Sequence, residues 1–572
     1  MTMMKSRLVK GLAVIALVIG VSAGSGPANA GVAVPSDVPT LGLYLVENFQ
    51  LGSMPSQIFG VGSQSDATSY LMCKSDTEEA CVKDRRVFAM DNFDVCKPDS
   101  TTSCIQSAWA ISPSGQKIEG KYLKTVQDNP KQYIEENAIP QLPASHGIGG
   151  IWTFPGVTNS SGGNQFFVGV EARYNGDKAA GDPVSKARLN DEGFVAGIVP
   201  VQEIPGNYAT LFASDALHGN GAWGSGPDGN TKAPDGTPCV FTDKAFCDVR
   251  AQFPAGYRFG MTLNLGFKQS GWFSGRLGLP IISTSDWKGG EQINIEAAPT
   301  LVPGLDFSVP NAQIPDAAKK LAFNGTQWGR GGTGAKGWQI LGELGDPLMM
   351  DFVTAFTDAY KNTATSSDTT WSFKTLVSND AWGVTKKCGS TLQSYGGLVT
   401  TNSLTYSDGP PAFNAATGEL KYKVASPHFQ ADGQVAQGSY DLAIRSEVVR
   451  CLYQFSSAPI KASISIQSDD GQTQIATTVV SEKNGWLYLS AKGFTFSSPT
   501  IAVKLTQDAP ATPAPAATPS PTPVASESPT PAPVATKAPA VAKKITITCV
   551  KGKSTKTVTA VKPTCPSGYK KR

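Results

Sequence analysis

A segment that cannot form a packed core divides this chain into two parts. Residues 508–542 consist almost entirely of Pro, Ala, Thr, Ser and Val, and they include ten prolines. Such a composition buries too little apolar surface to offset the conformational entropy lost on ordering. We therefore expect a disordered linker, whose polyproline-like parts extend ~3 Å per residue and span up to ~100 Å. Folded structure is expected on each side of it.

The amino-terminal residues have the pattern of a secretory signal peptide. Lys5, Arg7 and Lys10 precede an apolar run over residues 12–21, and the small residues of 28–30 form a cleavage site. This run is shorter than the ~18 residues of a membrane-spanning helix, and no later run approaches that length. We therefore predict a signal peptide over 1–30, and an exported mature chain without a transmembrane segment.

Charge is segregated between the two parts of the chain. The tail (residues 543–572) contains no Asp or Glu and carries nine basic side chains, namely Lys543, Lys544, Lys551, Lys553, Lys556, Lys562, Lys570, Lys571 and Arg572. Subtracting these nine charges and the three of the signal from the net charge of +3 leaves −9 on residues 31–542. The charge thus predicts no nucleic-acid binding by the body (residues 31–507). It predicts contacts between the tail and anionic cell-envelope polymers.

The cysteines are spaced as local disulfide pairs. Three pairs each enclose seven residues, and proximity in sequence completes two more pairs. Metal binding, the alternative, needs CxxC-type spacing and histidine partners, and none of the three histidines lies near a cysteine. We therefore predict disulfides that stiffen local hairpins, with no metal site and no cofactor. The expected pairs are Cys73–Cys81, Cys96–Cys104, Cys239–Cys247, Cys388–Cys451 and Cys549–Cys565.

Short alternating runs predict that the body is mainly β. Residues 462–467 alternate between apolar and polar side chains, and Asn484-Gly485 joins two further runs of β-favouring residues. Asn-Gly between such runs is a strong signal of a tight hairpin. Several short strands at this spacing are typical of an antiparallel sandwich.

One helix is indicated within this β-rich sequence. Asp346 is a favourable N-cap, Pro347 suits the first helical position, and apolar residues recur every fourth position from Leu348 to Tyr360. The fold class is therefore mainly β and multidomain, with antiparallel sandwich-like domains, local disulfides and few helices. The predicted division is 1–30 signal, 31–310 β-rich region with disulfides, 311–385 mixed segment with a helix over 346–361, 386–507 antiparallel sandwich, 508–542 linker and 543–572 two-cysteine tail.

The motifs of the body identify no catalytic residue. Gly329, Gly331 and Gly334 satisfy GxGxxG, but a Gly-Trp pair follows where the helix of a dinucleotide site should begin, so a flexible surface loop is favoured. Trp328 and Trp338 flank this stretch, and exposed tryptophan faces can stack on sugars. The alternative is that these rings are buried in a β core.

The tail resembles a short C-terminal module of uncharacterised secreted and cell-surface proteins of actinobacteria. The residues that carry the resemblance are Cys549-Val-Lys-Gly-Lys553 and Lys562-Pro-x-Cys565-Pro-x-Gly-Tyr-Lys570. In such proteins the module follows a Pro/Ala/Thr-rich linker. The resemblance covers about thirty residues; it implies export and association with the cell envelope, and it supplies no catalytic residue.

Together these features favour an exported, envelope-associated binding or display protein whose body contacts a glycan or another surface. The alternative is a secreted hydrolase that acts on glycans or peptides, since paired carboxylates cannot be recognised without a fold. A cleft with two facing acids ~5–9 Å apart favours the hydrolase. Flat sheets with exposed tryptophans favour the binding protein.

Overall fold

The fold is described over most of the body and part of the tail. The computed structural model describes residues 40–47, 57–61, 70–73, 77, 79–83, 85–126, 142, 147–208, 232–237, 239–243, 245–268, 271–322, 329–332, 338–342, 344–376, 395–407, 409–467, 473–475, 477–496, 500–507, 545–551, 554–560, 565 and 569–571. Strands dominate these ranges and form several sheets. The predicted mainly-β class is therefore confirmed.

Thirteen of the described strands begin before residue 260. They are β1 (Thr40–Leu45), β2 (Gln57–Val61), β3 (Tyr70–Met72), β4 (Arg86–Asn92), β5 (Cys104–Ile111), β6 (Lys117–Glu119), β7 (Lys121–Thr125), β8 (Gly150–Thr153), β9 (Gln165–Asp177), β10 (Arg188–Pro205), β11 (Cys239–Asp243), β12 (Phe246–Arg250) and β13 (Arg258–Leu265).

The later strands of the body are β14 (Gly271–Arg276), β15 (Gly278–Trp287), β16 (Gly290–Ala298), β17 (Thr300–Pro310), β18 (Gly329–Gly332), β19 (Trp338–Leu341), β20 (Ser366–Leu376), β21 (Tyr395–Thr401), β22 (Thr405–Tyr406), β23 (Ala412–Asn414), β24 (Glu419–Ala425), β25 (Gln437–Arg445), β26 (Ile460–Gln467), β27 (Thr473–Ile475), β28 (Thr477–Lys483), β29 (Trp486–Thr495) and β30 (Thr500–Gln507). The tail contributes β31 (Ile545–Lys551), β32 (Ser554–Ala560) and β33 (Lys570–Lys571). Helices are α1 (Glu79–Lys83), α2 (Asp316–Ala322), α3 (Pro347–Ala355) and α4 (Ser446–Tyr453), with 3-10 turns at Val184–Lys186 and Asn311–Gln313.

A long sheet forms the middle layer of the body. Its central run follows the order β4, β9, β10, β20, β14, β21, β25, β29 and β28, and only the β14–β21 pair in this run is parallel. Ala443 of β25 lies in one hydrophobic core, whereas its neighbours Leu442 and Ile444 lie in another. The strand is therefore buried on both faces, which explains its succession of apolar residues.

Two smaller sheets cover the faces of the middle layer. The sheet β15-β16-β13-β5-β6 contributes Phe259 and Ile295 to a core that also holds Phe373 of β20. On the opposite face, the sheet β22-β24-β30-β26-β27 packs Ile464 and Val503 around Leu442. The C-terminal part of the body therefore contains the predicted sandwich, and it shares its inner sheet with the strands that precede it.

The predicted helix exists but is shorter than expected. The carboxylate of Asp346 accepts a hydrogen bond from the Leu348 amide at 3.0 Å and caps α3. Phe352 and Phe356 are buried in a core with β1 and β17. The helix ends at Ala355, so the predicted range 346–361 was wrong at its end. Turns follow, and a left-handed residue at Lys361 (φ 53°) cannot continue an α-helix.

The predicted turn at Asn484-Gly485 is confirmed, whereas the prediction of a flexible loop at Gly329–Gly332 was wrong. Asn484 and Gly485 both have positive φ, 53° and 78°, as a type I′ turn requires, and they join β28 to β29. Gly329–Gly332 forms a strand that pairs with Trp338–Leu341. Strand pairing uses backbone groups only, so a glycine run can form a ladder despite lacking side chains to pack.

Three of the predicted disulfides are present among the described residues, namely Cys73–Cys81, Cys96–Cys104 and Cys239–Cys247. Of these three, only the last closes a hairpin, between β11 and β12, because Cys81 lies in α1 and Cys96 lies outside the strands. Cys451 and Cys565 are also disulfide-bonded. Cys388 lies outside the described residues and the side chain of Cys549 is not described, so their pairings stay predictions.

The chain divides into two compact units, residues 1–510 and 511–572. The boundaries expected at 310 and 385 do not separate compact units. β14 pairs with β20 on one side and with β21 on the other, so segments from both sides of each boundary share one sheet. The expected signal (1–30) and linker (508–542) lie outside the described residues.

Candidate functional site

The tail forms a small sheet around its first cysteine. β31 lies between β32 and β33, and the register places Cys549 opposite Lys556 on one side and opposite Lys571 on the other. Val550 lies opposite Lys570. Because neighbouring strands are ~4.8 Å apart, the backbone positions of Lys556 and Lys571 are ~10 Å apart across the sheet. Basic residues that are distant in sequence are thereby brought to neighbouring positions of one small sheet.

The structure places four of the nine predicted basic contact residues in this sheet. Lys570 and Lys571 are exposed, whereas Lys551 and Lys556 are described only by their strands. The other five, Lys543, Lys544, Lys553, Lys562 and Arg572, lie outside the described residues. The four described lysines thus share a sheet. A contact role for the other five basic residues stays a prediction.

The structure does not test the two tryptophans predicted for sugar stacking. Trp328 lies outside the described residues, and Trp338 begins β19 without a described side chain. Two other tryptophans of the body, Trp272 and Trp371, are buried in the cores. These two rings therefore pack as core side chains.

Sequence reasoning missed an apolar projection on the edge strand β15. Leu279 adopts a left-handed backbone (φ 49°), which is uncommon for a bulky side chain. Its amide donates to Asp441 Oδ2 at 3.0 Å, and its carbonyl accepts from Arg258 Nη2 at 3.0 Å. Leu279 and Ile281 are nevertheless 41% and 44% exposed. Charged side chains thus hold the backbone while two aliphatic side chains face solvent.

The same edge is anchored further along by a tyrosine. The Tyr488 hydroxyl donates to the carbonyl oxygen of Ile282 at 3.0 Å and accepts from the Ile282 amide at 3.3 Å. These contacts occupy both backbone groups of a residue on an edge strand. An edge occupied in this way is protected from pairing with another strand at that point. The sequence signal for this region was only Asp441, an acid directly before the apolar residues Leu442, Ala443 and Ile444.

Asp441 is a buried carboxylate in an unfavourable environment. It is 2% exposed, and burial raises the pKa of its carboxyl, although the hydrogen bond from the Leu279 amide and the charges of Lys492 and Arg258 oppose the shift. The pKa of the folded state therefore exceeds that of the unfolded state. Such an acid lowers stability above its folded pKa, and the penalty disappears as pH falls through the ordinary aspartate range.

Asp441→Asn is therefore expected to increase the free energy of unfolding at pH 7 by at least ~1 kcal/mol. The amide oxygen can still accept the hydrogen bond from Leu279, and no charge is buried. The gain over the unaltered protein should shrink as pH is lowered towards ~4. Denaturant unfolding across this range measures it, with the exposed Asp286→Asn as control. A variant that is less stable at pH 7, with a pH-independent loss, contradicts the expectation.

Comparison with known proteins finds no family model, curated protein or solved structure that matches this chain. The resemblance of the tail to an actinobacterial module therefore rests on its own motif residues, and functional inference rests on geometry. Within the described ranges, no helix combines the length and the apolar character needed to cross a membrane.

Proposed function

We propose that this chain is an exported protein attached to the cell envelope through its tail, and that its body acts as a binding or display surface. The observation that carries the proposal is the tail sheet. It belongs to a compact unit of its own, and its register gathers Lys556, Lys570 and Lys571 around Cys549 and Val550. A basic surface without acids attracts polyanions by Coulomb interaction.

Charge and cysteine chemistry support the same proposal. The tail carries nine basic residues and no acid, while residues 31–542 have a net charge of −9. An anionic envelope polymer would therefore attract the tail and repel the body. Three local disulfides in the body are compatible with an extracellular location, because disulfides persist in oxidising compartments.

Two buried acids of the body, Asp441 and Glu291, have partners within the fold and favour binding over hydrolysis. Asp441 accepts the Leu279 amide, and Glu291 lies 3.7 Å from Arg445. Each carboxylate thus contributes to the packing of β15 and β16 against β25. A hydrolase of glycans would instead use two acids that face a substrate. We therefore propose contact with a glycan or another surface ligand as the role of the body.

Fractionation of the source cells tests this proposal. The protein is expected in the envelope fraction, with an amino terminus near Gly31, because residues 1–30 have the composition of a signal peptide. Peptide mass mapping of the recovered protein locates its first residue. Recovery from the cytoplasm with residues 1–30 still present would refute export and, with it, envelope attachment.

A further inference from the structure

A second polar cluster lies where β20 changes partners. Up to Thr370 this strand pairs with β17, and from Trp371 onward it lies between β10 and β14. Charged side chains of alternating sign gather at this point: Asp368, Arg250, Glu47 and Arg276. Glu47 and Arg276 are in direct contact at 2.9 Å.

Arg250, in contrast, lies between two carboxylates without an ion pair to either of them. Burial lowers the pKa of its guanidinium, and the charges of Asp368 and Glu47 partly offset this effect. Its one side-chain hydrogen bond within the described part of the chain is a long contact, 3.4 Å, from Nη1 to the hydroxyl of Thr370. Most of its five N–H donors are therefore available to a ligand or to solvent.

The carboxylate of Asp368 likewise makes few hydrogen bonds. Its carboxylate accepts from Gln252 Nε2 at 3.4 Å, which is a weak contact. Gln252 is itself held, because its oxygen accepts from the amide and the hydroxyl of Thr369 at 2.9 and 2.7 Å. Ser367, on the same strand, bonds to Gln430 at 2.7 Å. Arg250, Asp368 and Gln252 are half-buried, so this part of the cluster is reachable from solvent.

The chemistry of the two charged groups restricts what can bridge them. A guanidinium only donates hydrogen bonds, and a carboxylate only accepts them. A group that joins Arg250 to Asp368 must therefore accept from one and donate to the other, as a hydroxyl does. An anion is disfavoured because Asp368 and Glu47 both lie near Arg250, and a cation is disfavoured by Arg250 itself.

We propose that Arg250 and Asp368 form a binding site for hydroxyl groups of a neutral glycan, with Gln252 and Thr369 fixing the orientation of the strand. The site specifies the ligand class for the body, so it rests on the proposed binding function. Two neighbouring hydroxyls of a sugar ring can each contact one of the charged groups. Hydrogen bonds to charged groups are stronger than those between neutral partners, which suits recognition of an uncharged ligand.

Glycan binding by the full chain tests the proposal. The probe is a panel of immobilised neutral glucans, mannans and galactans, read at ~1 M salt, where the Debye length is ~3 Å and contacts of the tail are screened. The unaltered protein is expected to bind at least one neutral glycan. Arg250→Met and the isosteric Asp368→Asn should each weaken that binding by ~10-fold or more, since each removes a charge-assisted hydrogen bond. The exposed Arg188→Met is the matched control and should bind normally.

Thermal unfolding separates this role from a structural one. Arg250 has no ion pair to lose among the described residues, so Arg250→Met should leave the unfolding midpoint unchanged or raise it. A destabilised Arg250→Met with Asp368→Asn binding as the unaltered protein does would overturn the site. Equal binding by all variants would also overturn the site. The absence of any neutral-glycan binding would overturn it too, and would leave water as the molecule bound there. Envelope attachment through the tail is measured separately and can hold in each of these cases.

Discussion

Arg276→Met is expected to lower the free energy of unfolding of the body by ~3–5 kcal/mol, the usual cost of breaking a buried ion pair. The guanidinium is 1% exposed and donates to Glu47 at 2.9 Å. It also donates to the carbonyl oxygens of Thr401, Ser403 and Leu404 at 3.0, 2.6 and 2.9 Å. Methionine preserves much of the side-chain length but leaves a carboxylate and three carbonyl groups without this partner.

Denaturant unfolding of the full chain measures this loss, and two further variants test its cause. Arg276→Lys keeps the charge, but a single ammonium cannot reproduce the planar fork that reaches three carbonyls, so an intermediate loss is expected. Arg250→Met is the matched arginine control and should not lower stability. Equal stability of Arg276→Met and the unaltered protein would show that these contacts contribute little to folding.

The difference between these arginines shows what the sequence could not reveal. Glu47 and Thr401 lie 229 and 125 residues from Arg276 in the chain. No local pattern links positions so far apart, and Arg276 in a strand looks like any polar residue. Arg250 and Asp368 were missed for the same reason, since they meet only where β20 changes partners. Charged sites whose residues are distant in sequence can be recognised only once the fold is known.

Features governed by neighbouring residues could be predicted. The Asn484-Gly485 turn requires positive φ at both positions, and Asn-Gly satisfies this locally. The cap at Asp346 is likewise decided within one helical turn. The domain boundaries at 310 and 385 depended instead on strand pairing between distant segments. The left-handed backbone of Leu279 depended on Asp441 and Arg258, and leucine gives no signal for it.

Removal of the tail is expected to release the protein from the cell envelope into the medium without unfolding the body. Residues 511–572 form a compact unit separate from residues 1–510, so a chain that ends at residue 542 keeps the cores of the body. With the nine positive charges of the tail gone, the net charge of residues 31–542 indicates an acidic remainder that anionic polymers repel. Immunoblots of envelope and medium fractions, with thermal unfolding of the released protein, check both parts of this expectation.

The register of the tail sheet allows a finer test in the full-length chain. Replacing Lys556, Lys570 and Lys571 together with glutamine should weaken binding to isolated envelopes ~100-fold, at ~1 kcal/mol for each lysine near an anionic surface. Binding of the unaltered protein should itself fall steeply with salt, because exposed charges are screened over ~8–10 Å at physiological ionic strength. The matched control replaces three exposed lysines of the body, Lys423, Lys483 and Lys504. Equal loss in both triple variants, or binding that persists in high salt, would mean that the sheet is not an electrostatic anchor.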